Sequence, residues 1–117
     1  MTTRAQGVLF KDQAMNASVN SDWIEVGEAK AGSISVEWTD GTGADGEPAG
    51  NFILQVSNDQ TIIHDEATQA AGGDAGKHLF KFTDPPYKYV RLRWDDGGSS
   101  LVTDLFTANY HLYSDRP

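Results

Sequence analysis

Three histidines, two adjacent carboxylate pairs and one row of tyrosines and arginines are the residues of this chain with chemistry to offer. His64, His78 and His111 are too widely spaced to form an H-x-x-x-H or H-E-x-x-H arrangement. They read as ordinary surface or edge histidines. Asp65/Glu66 and Asp95/Asp96 are neighbours in sequence, and neighbours in extended chain point to opposite faces. They are poor acid/base pairs and read as solvated charge. No G-x-S-x-G elbow, glycine-rich phosphate loop or Ser-His-Asp order is present. The segment TDGTGADGE holds Asp40, Asp45 and Glu47 in a glycine-rich context that calcium tolerates, but the spacing departs from the twelve-residue calcium loop. It reads first as a solvated loop. The N-A-S sequon at 16–18 has meaning only on a secretory route. These absences lead us to expect no enzyme, no metal and no cofactor.

The row is the more informative feature. In YKYVRLRW (87–94), Tyr87, Tyr89, Arg91 and Arg93 share one parity, and Val90, Leu92 and Trp94 share the other. A strand would turn the second set into the core and the first outward. Tyrosine and arginine are enriched where partner surfaces become buried. They also pair readily across a sheet, so an ordinary solvated or intramolecular row is the competing reading.

Something must position that row, and the composition limits what it can be. The chain has 117 residues, the length of one domain, with no cysteine to supply disulfides or thiolate metal ligands. Seventeen acidic residues against nine Lys and Arg give a net charge of −8. Such a chain is repelled by phosphate backbones and anionic lipid, so neither nucleic acid nor membrane is an expected partner. No apolar run approaches the roughly 20 residues of a membrane span. MTTRAQG lacks the apolar stretch of a signal peptide, so synthesis in the cytoplasm is expected.

Period-two alternation runs through most of the sequence. Strands are expected at 7–11, 22–26, 33–39, 51–57, 61–66, 77–82, 87–94 and 105–113. Trp23 and Val26 mark the apolar limits of the second. DEATQAA (65–71) fits either a helical turn or a loop or edge strand. TDGTGADGEPAG, SND, AAGGDAG, DPP and DDGG supply the turns. About eight half-buried strands joined by turns define an all-β fold, an antiparallel β-sandwich or jelly-roll-like arrangement. The expected core is Trp38, Phe52, Leu54, Val56, Phe80, Phe82, Val90, Leu92, Trp94, Phe106 and Tyr110. We read 1–117 as a single domain, with an N-terminal arm over 1–7 and a C-terminal tail over 114–117.

The ordered set Trp23 to Val26 (W-x-x-V), Gln55 to Asp59 (Q-x-SND) and Tyr87 to Leu92 (Y-K-YVRL) resembles the small β-sandwich structural proteins of tailed bacteriophages. The resemblance spans about residues 7 to 113. One departure stands out, because the SND of that pattern is usually followed by glycine and here by Gln60. The resemblance implies a virion component, and most concretely a capsid decoration or cement protein on the outer surface of the shell. Its partners would be the major capsid protein or other virion subunits. It would also assemble with itself, by analogy as a trimer. Tyr87, Tyr89, Arg91 and Arg93 would then be contact residues. A tail or head-fibre position is the alternative within that family. Discoidin-like carbohydrate-binding sandwiches, which share a YVRL-type strand, are the alternative outside it.

Overall fold

The computed structural model describes residues 2–39, 50–71, 75–97 and 104–116. Among these, nine strands form two antiparallel sheets and no helix occurs. The strands are β1 (Thr3–Ala14), β2 (Val19–Asn20), β3 (Ile24–Glu25), β4 (Ala31–Trp38), β5 (Asn51–Ser57), β6 (Ile63–Ala70), β7 (Gly76–Thr83), β8 (Tyr89–Asp95) and β9 (Leu105–Tyr113). The four-stranded sheet runs β1-β9-β4-β7. The five-stranded sheet runs β2-β8-β5-β6, with β3 also paired to β8. The fold is therefore the all-β antiparallel sandwich that the alternation requires.

Alternation sets the core. In β4, Ile34, Val36 and Trp38 are buried, and in β8 so are Val90, Leu92 and Trp94. Four aromatic rings lock the two sheets together. Phe52 lies 5.1 Å from Trp38, 4.6 Å from Trp94 and 5.1 Å from Phe106, ring centre to ring centre. Trp38 on Phe52 sets β4 over β5, and Phe106, 6.3 Å from Trp94, sets β9 over β8. Two buried indoles keep their N–H groups satisfied, as burial demands. Trp38 Nε1 donates to the Ala71 carbonyl and Trp94 Nε1 to the Met15 carbonyl, each at 3.1 Å. Of the expected core residues only Tyr110 is half-buried, because its ring runs out over Gly7, where an added Cβ would lie 2.8 Å from Tyr110 Cε1.

Several expectations are corrected. Residues 3–7 are not a free arm: they form the first part of β1, which pairs with β9 from Thr3↔Tyr113 onward. The first strand is longer than 7–11 because irregularities at three points hide its alternation. One of them lies at Asp12, whose φ is 47°. The tail is held as well. Ser114 N donates to the Thr2 carbonyl, Thr2 N to Asp115 Oδ1, and Arg116 Nε to Asp84 Oδ1 at 2.8 Å. The segment 22–26 shrinks to the two residues of β3, with Ile24 and Val26 turned inward and Trp23 outward. DEATQAA takes its extended alternative, as most of the edge strand β6. The loop with Asp40, Asp45 and Glu47 lies outside the described residues.

The turn after β5 is built by side chains. Ser57 Oγ accepts from the Gln60 N–H at 2.8 Å, and Asp59 Oδ1 accepts from Thr61 N at 2.9 Å and Ile62 N at 2.8 Å. Those backbone donors hold the Asp59 carboxyl below the usual carboxylate range. Gln60 takes φ = 66°, the left-handed conformation that glycine adopts freely.

Candidate functional site

Directly opposed residues in an antiparallel pair share a face, so the register of β8 places the row. Arg91 opposes Gln55 of β5, which opposes Asp65 of β6. Arg93 lies between Asn20 of β2 and Ile53 of β5. Tyr89 lies between Glu25 of β3 and Ser57 of β5. Together they form the outer face of the five-stranded sheet.

The polar atoms there form a chain across three strands. Arg91 Nε donates to Gln55 Oε1 at 2.8 Å, and Gln55 Nε2 donates to Asp65 Oδ1 at 2.8 Å. The Arg91 guanidinium carbon sits 4.3 Å above the centre of the Trp23 ring, within cation–π range. Arg93 Nη1 donates to Asn20 Oδ1 at 2.9 Å. These long side chains cover the sheet, which is why Gln55 and Ile53 are each only 8% exposed although they point outward. Burial and the neighbouring Arg93 charge push the Arg91 pKa down, while Asp65 pulls it back up.

Tyr87 stands apart from the other three. It precedes β8, packs against the core, and its ring centre lies 6.1 Å from that of Phe82. Burial, with the Glu66 charge adding to it, raises its phenol to about 12. The structure thus brings Tyr89, Arg91 and Arg93 onto one face and turns Tyr87 toward the sandwich interior. Sequence reasoning did not find Trp23, Gln55 or Asp65 as members of the face. Parity along β5 could have flagged Gln55, but the cross-strand register that joins it to Arg91 is not written in either strand alone.

The opposite outer face is different in kind. Val8, Asn109, Ser35 and Leu79 oppose one another in a line across the four-stranded sheet. Small Ser35 at the centre and exposed Val8 and Leu79 at the sides leave a shallow depression beside Glu37, Lys77 and Thr107. The three histidines lie on separate strands, β6, β7 and β9. His78 packs edge-on to Phe80, and His111 stacks on Tyr113. Among the described residues no group of three or more His, Asp or Glu converges as a metal site.

The described strands thus present two outer faces, one covered by Arg91 and Arg93 and the other with a shallow depression beside Leu79. The fold matches the SPBc2 prophage-derived protein YomS with a TM-score of 0.51 at 10% identity, over 92% of this chain and 91% of that one. It matches the PBSX exported protein XepA with a TM-score of 0.64 at 10% identity, over 97% of this chain but only 38% of XepA. A family 29 carbohydrate-binding module from Piromyces equi lies further off, with a TM-score of 0.48 at 15% identity over 90% of this chain and 74% of that one. No protein-family model and no curated protein sequence matches the chain.

Proposed function

We propose that this chain is a non-enzymatic structural protein of a tailed-phage virion, acting as a decoration protein on the outer surface of the capsid shell. The observation that carries the reading is the preorganised pair Arg91 and Arg93 on the face they share with Tyr89. Arg91 is already fixed by Gln55 and Trp23 and Arg93 by Asn20, so little side-chain freedom is lost when a partner covers them. Fold likeness to a prophage-derived protein over nearly the full length of both chains supports the same class. A shell displays its binding site many times, and repeated modest contacts add through avidity. The coat protein would meet Tyr89, Arg91 and Arg93, while Tyr87 supports the face from behind.

The test is to add purified protein to capsids that lack it, then to sediment and image the particles. Saturable occupancy at regular lattice positions is expected, weakened by Arg91→Ala and by Tyr89→Ala. Absence from the shell with binding to tails assigns the tail position. Absence from particles altogether, with retention on an immobilised glycan, overturns the virion reading in favour of carbohydrate binding.

A further inference from the structure

We infer that two copies of this chain join edge to edge, β6 of each against β7 of the other, about a two-fold axis running along the strands. Among the described residues, β6 ends the five-stranded sheet and β7 ends the four-stranded sheet. Because β4 stacks over β5 and β9 over β8, both open edges fall on the same side of the sandwich. An open edge carries unpaired backbone donors and acceptors and is a template for another strand.

The two edges carry opposite charge. β6 holds Asp65 and Glu66 and no Lys or Arg, whereas β7 holds Lys77 and Lys81 and no Asp or Glu. Pairing β6 with β6, or β7 with β7, would oppose like charges at close range and is disfavoured. Pairing β6 with β7 opposes unlike ones. Only the two-fold parallel to the strands achieves this, since it exchanges the upper and lower sheets of the partner. A two-fold along the sheet normal would bring like edges together.

Direction and height also agree. Trp38 at the end of β4 meets Phe52 at the start of β5, so these strands run oppositely, and so do their antiparallel neighbours β7 and β6. The proposed axis keeps strand direction, which makes each seam antiparallel. It also keeps height along the strands. By the register of each sheet and the Trp38–Phe52 contact, Asp65 comes level with Leu79, between Lys77 and Lys81. Apolar surface gathers on the same side: Ile62 is 63% exposed, Leu79 45% and Ile63 39%. The seam would cover part of it. Each four-stranded sheet would continue into the partner's five-stranded sheet.

The test is the mass of the isolated chain in solution, by light scattering on a sizing column and by sedimentation velocity. At concentrations on the order of 100 μM and low salt, a mass near twice the 12.7 kDa of one chain is expected. It should fall toward one chain as salt rises and screening sets in. Lys81→Glu alone and Glu66→Lys alone should each raise the dissociation constant about tenfold or more. The double variant, with the charges exchanged, should regain the dimer. Both positions are exposed, and unchanged melting curves would confirm that the fold is intact. A chain that stays monomeric, a trimer, or a dimer indifferent to both single reversals overturns the inference. This outcome is independent of capsid binding.

Discussion

Gln55 bridges Arg91 and Asp65 through both ends of its amide, accepting at Oε1 and donating at Nε2, each at 2.8 Å. An amide held at both ends has one orientation, so it fixes the guanidinium over Trp23 as well as the carboxylate on the edge strand. The hairpin of β5 and β6 is thereby joined to the distant β8 on the face that we assign to the partner.

Removing the bridge should cost more than one ordinary hydrogen bond. Gln55→Ala is expected to lower stability by roughly 2 kcal/mol, two hydrogen bonds at about 1 kcal/mol each. Arg91→Ala should cost about 1–2 kcal/mol through its charged hydrogen bond and its contact with Trp23. Because the two residues share one interaction, the double variant should lose less than the sum. Urea denaturation of the four proteins reads this directly, and strict additivity would show that the chain across the sheet carries no coupling.

The turn after β5 offers a gain. Gln60 holds φ = 66° with a side chain, a conformation that costs an L-residue about 1 kcal/mol or more. Gln60→Gly relieves it at some cost in unfolded-state entropy, so a net rise of about 0.5–1 kcal/mol is expected. A higher melting temperature confirms it. A lower one would mean that the Gln60 side chain contributes more than its backbone costs.

Gly50 is intolerant for a different reason. A Cβ there would overlap the Asp95 carbonyl oxygen and come within 2.9 Å of the Asp96 carbonyl carbon. Backbone cannot swing aside as a side chain can. Gly50→Ala should therefore destabilise by roughly 3 kcal/mol, seen as a large fall in the urea midpoint at unchanged slope.

Tyr87 sets an alkaline limit. Its phenol ionises near 10.0 when free and is raised to about 12 in the fold, first by burial and then by Glu66. The folded state thus holds the proton more tightly than the unfolded one. The stabilisation is complete below pH 10 and is lost as pH rises toward 12. The difference between the 295 nm titrations of the native chain and of Tyr87→Phe should show a single ionisation near the upper value. Tyr87→Phe should also flatten the fall of stability across that window.

What the sequence revealed depended on whether a residue answers to its own strand or to a distant one. Ile34, Val36 and Trp38, or Val90, Leu92 and Trp94, declare their burial by alternation alone, because a sheet has two faces and a core on one. Trp23 does not: in a strand of two residues no period exists, and its side chain turns outward under Arg91. Ile53 and Gln55 have outward parity yet are buried, because side chains from β8 lie over them. The pairing of β1 with β9 joins residues more than ninety positions apart, and the bulges in β1 erase the local pattern that would have shown residues 3–7 to be strand. DEATQAA carries the composition of a helix, and its extended state is imposed by the pairing of β6 with β5.

The β1–β9 pair also sets how the molecule answers to force. Thr3 faces Tyr113 at one end of the pair, and Ala14 faces Leu105 at the other. A pull applied between Thr3 and Tyr113 acts across the ladder and along its hydrogen bonds, which run perpendicular to the strands. The bonds are loaded one after another, from the Thr3 end inward, so the sandwich should open like a zip at low force instead of resisting as a shear clamp.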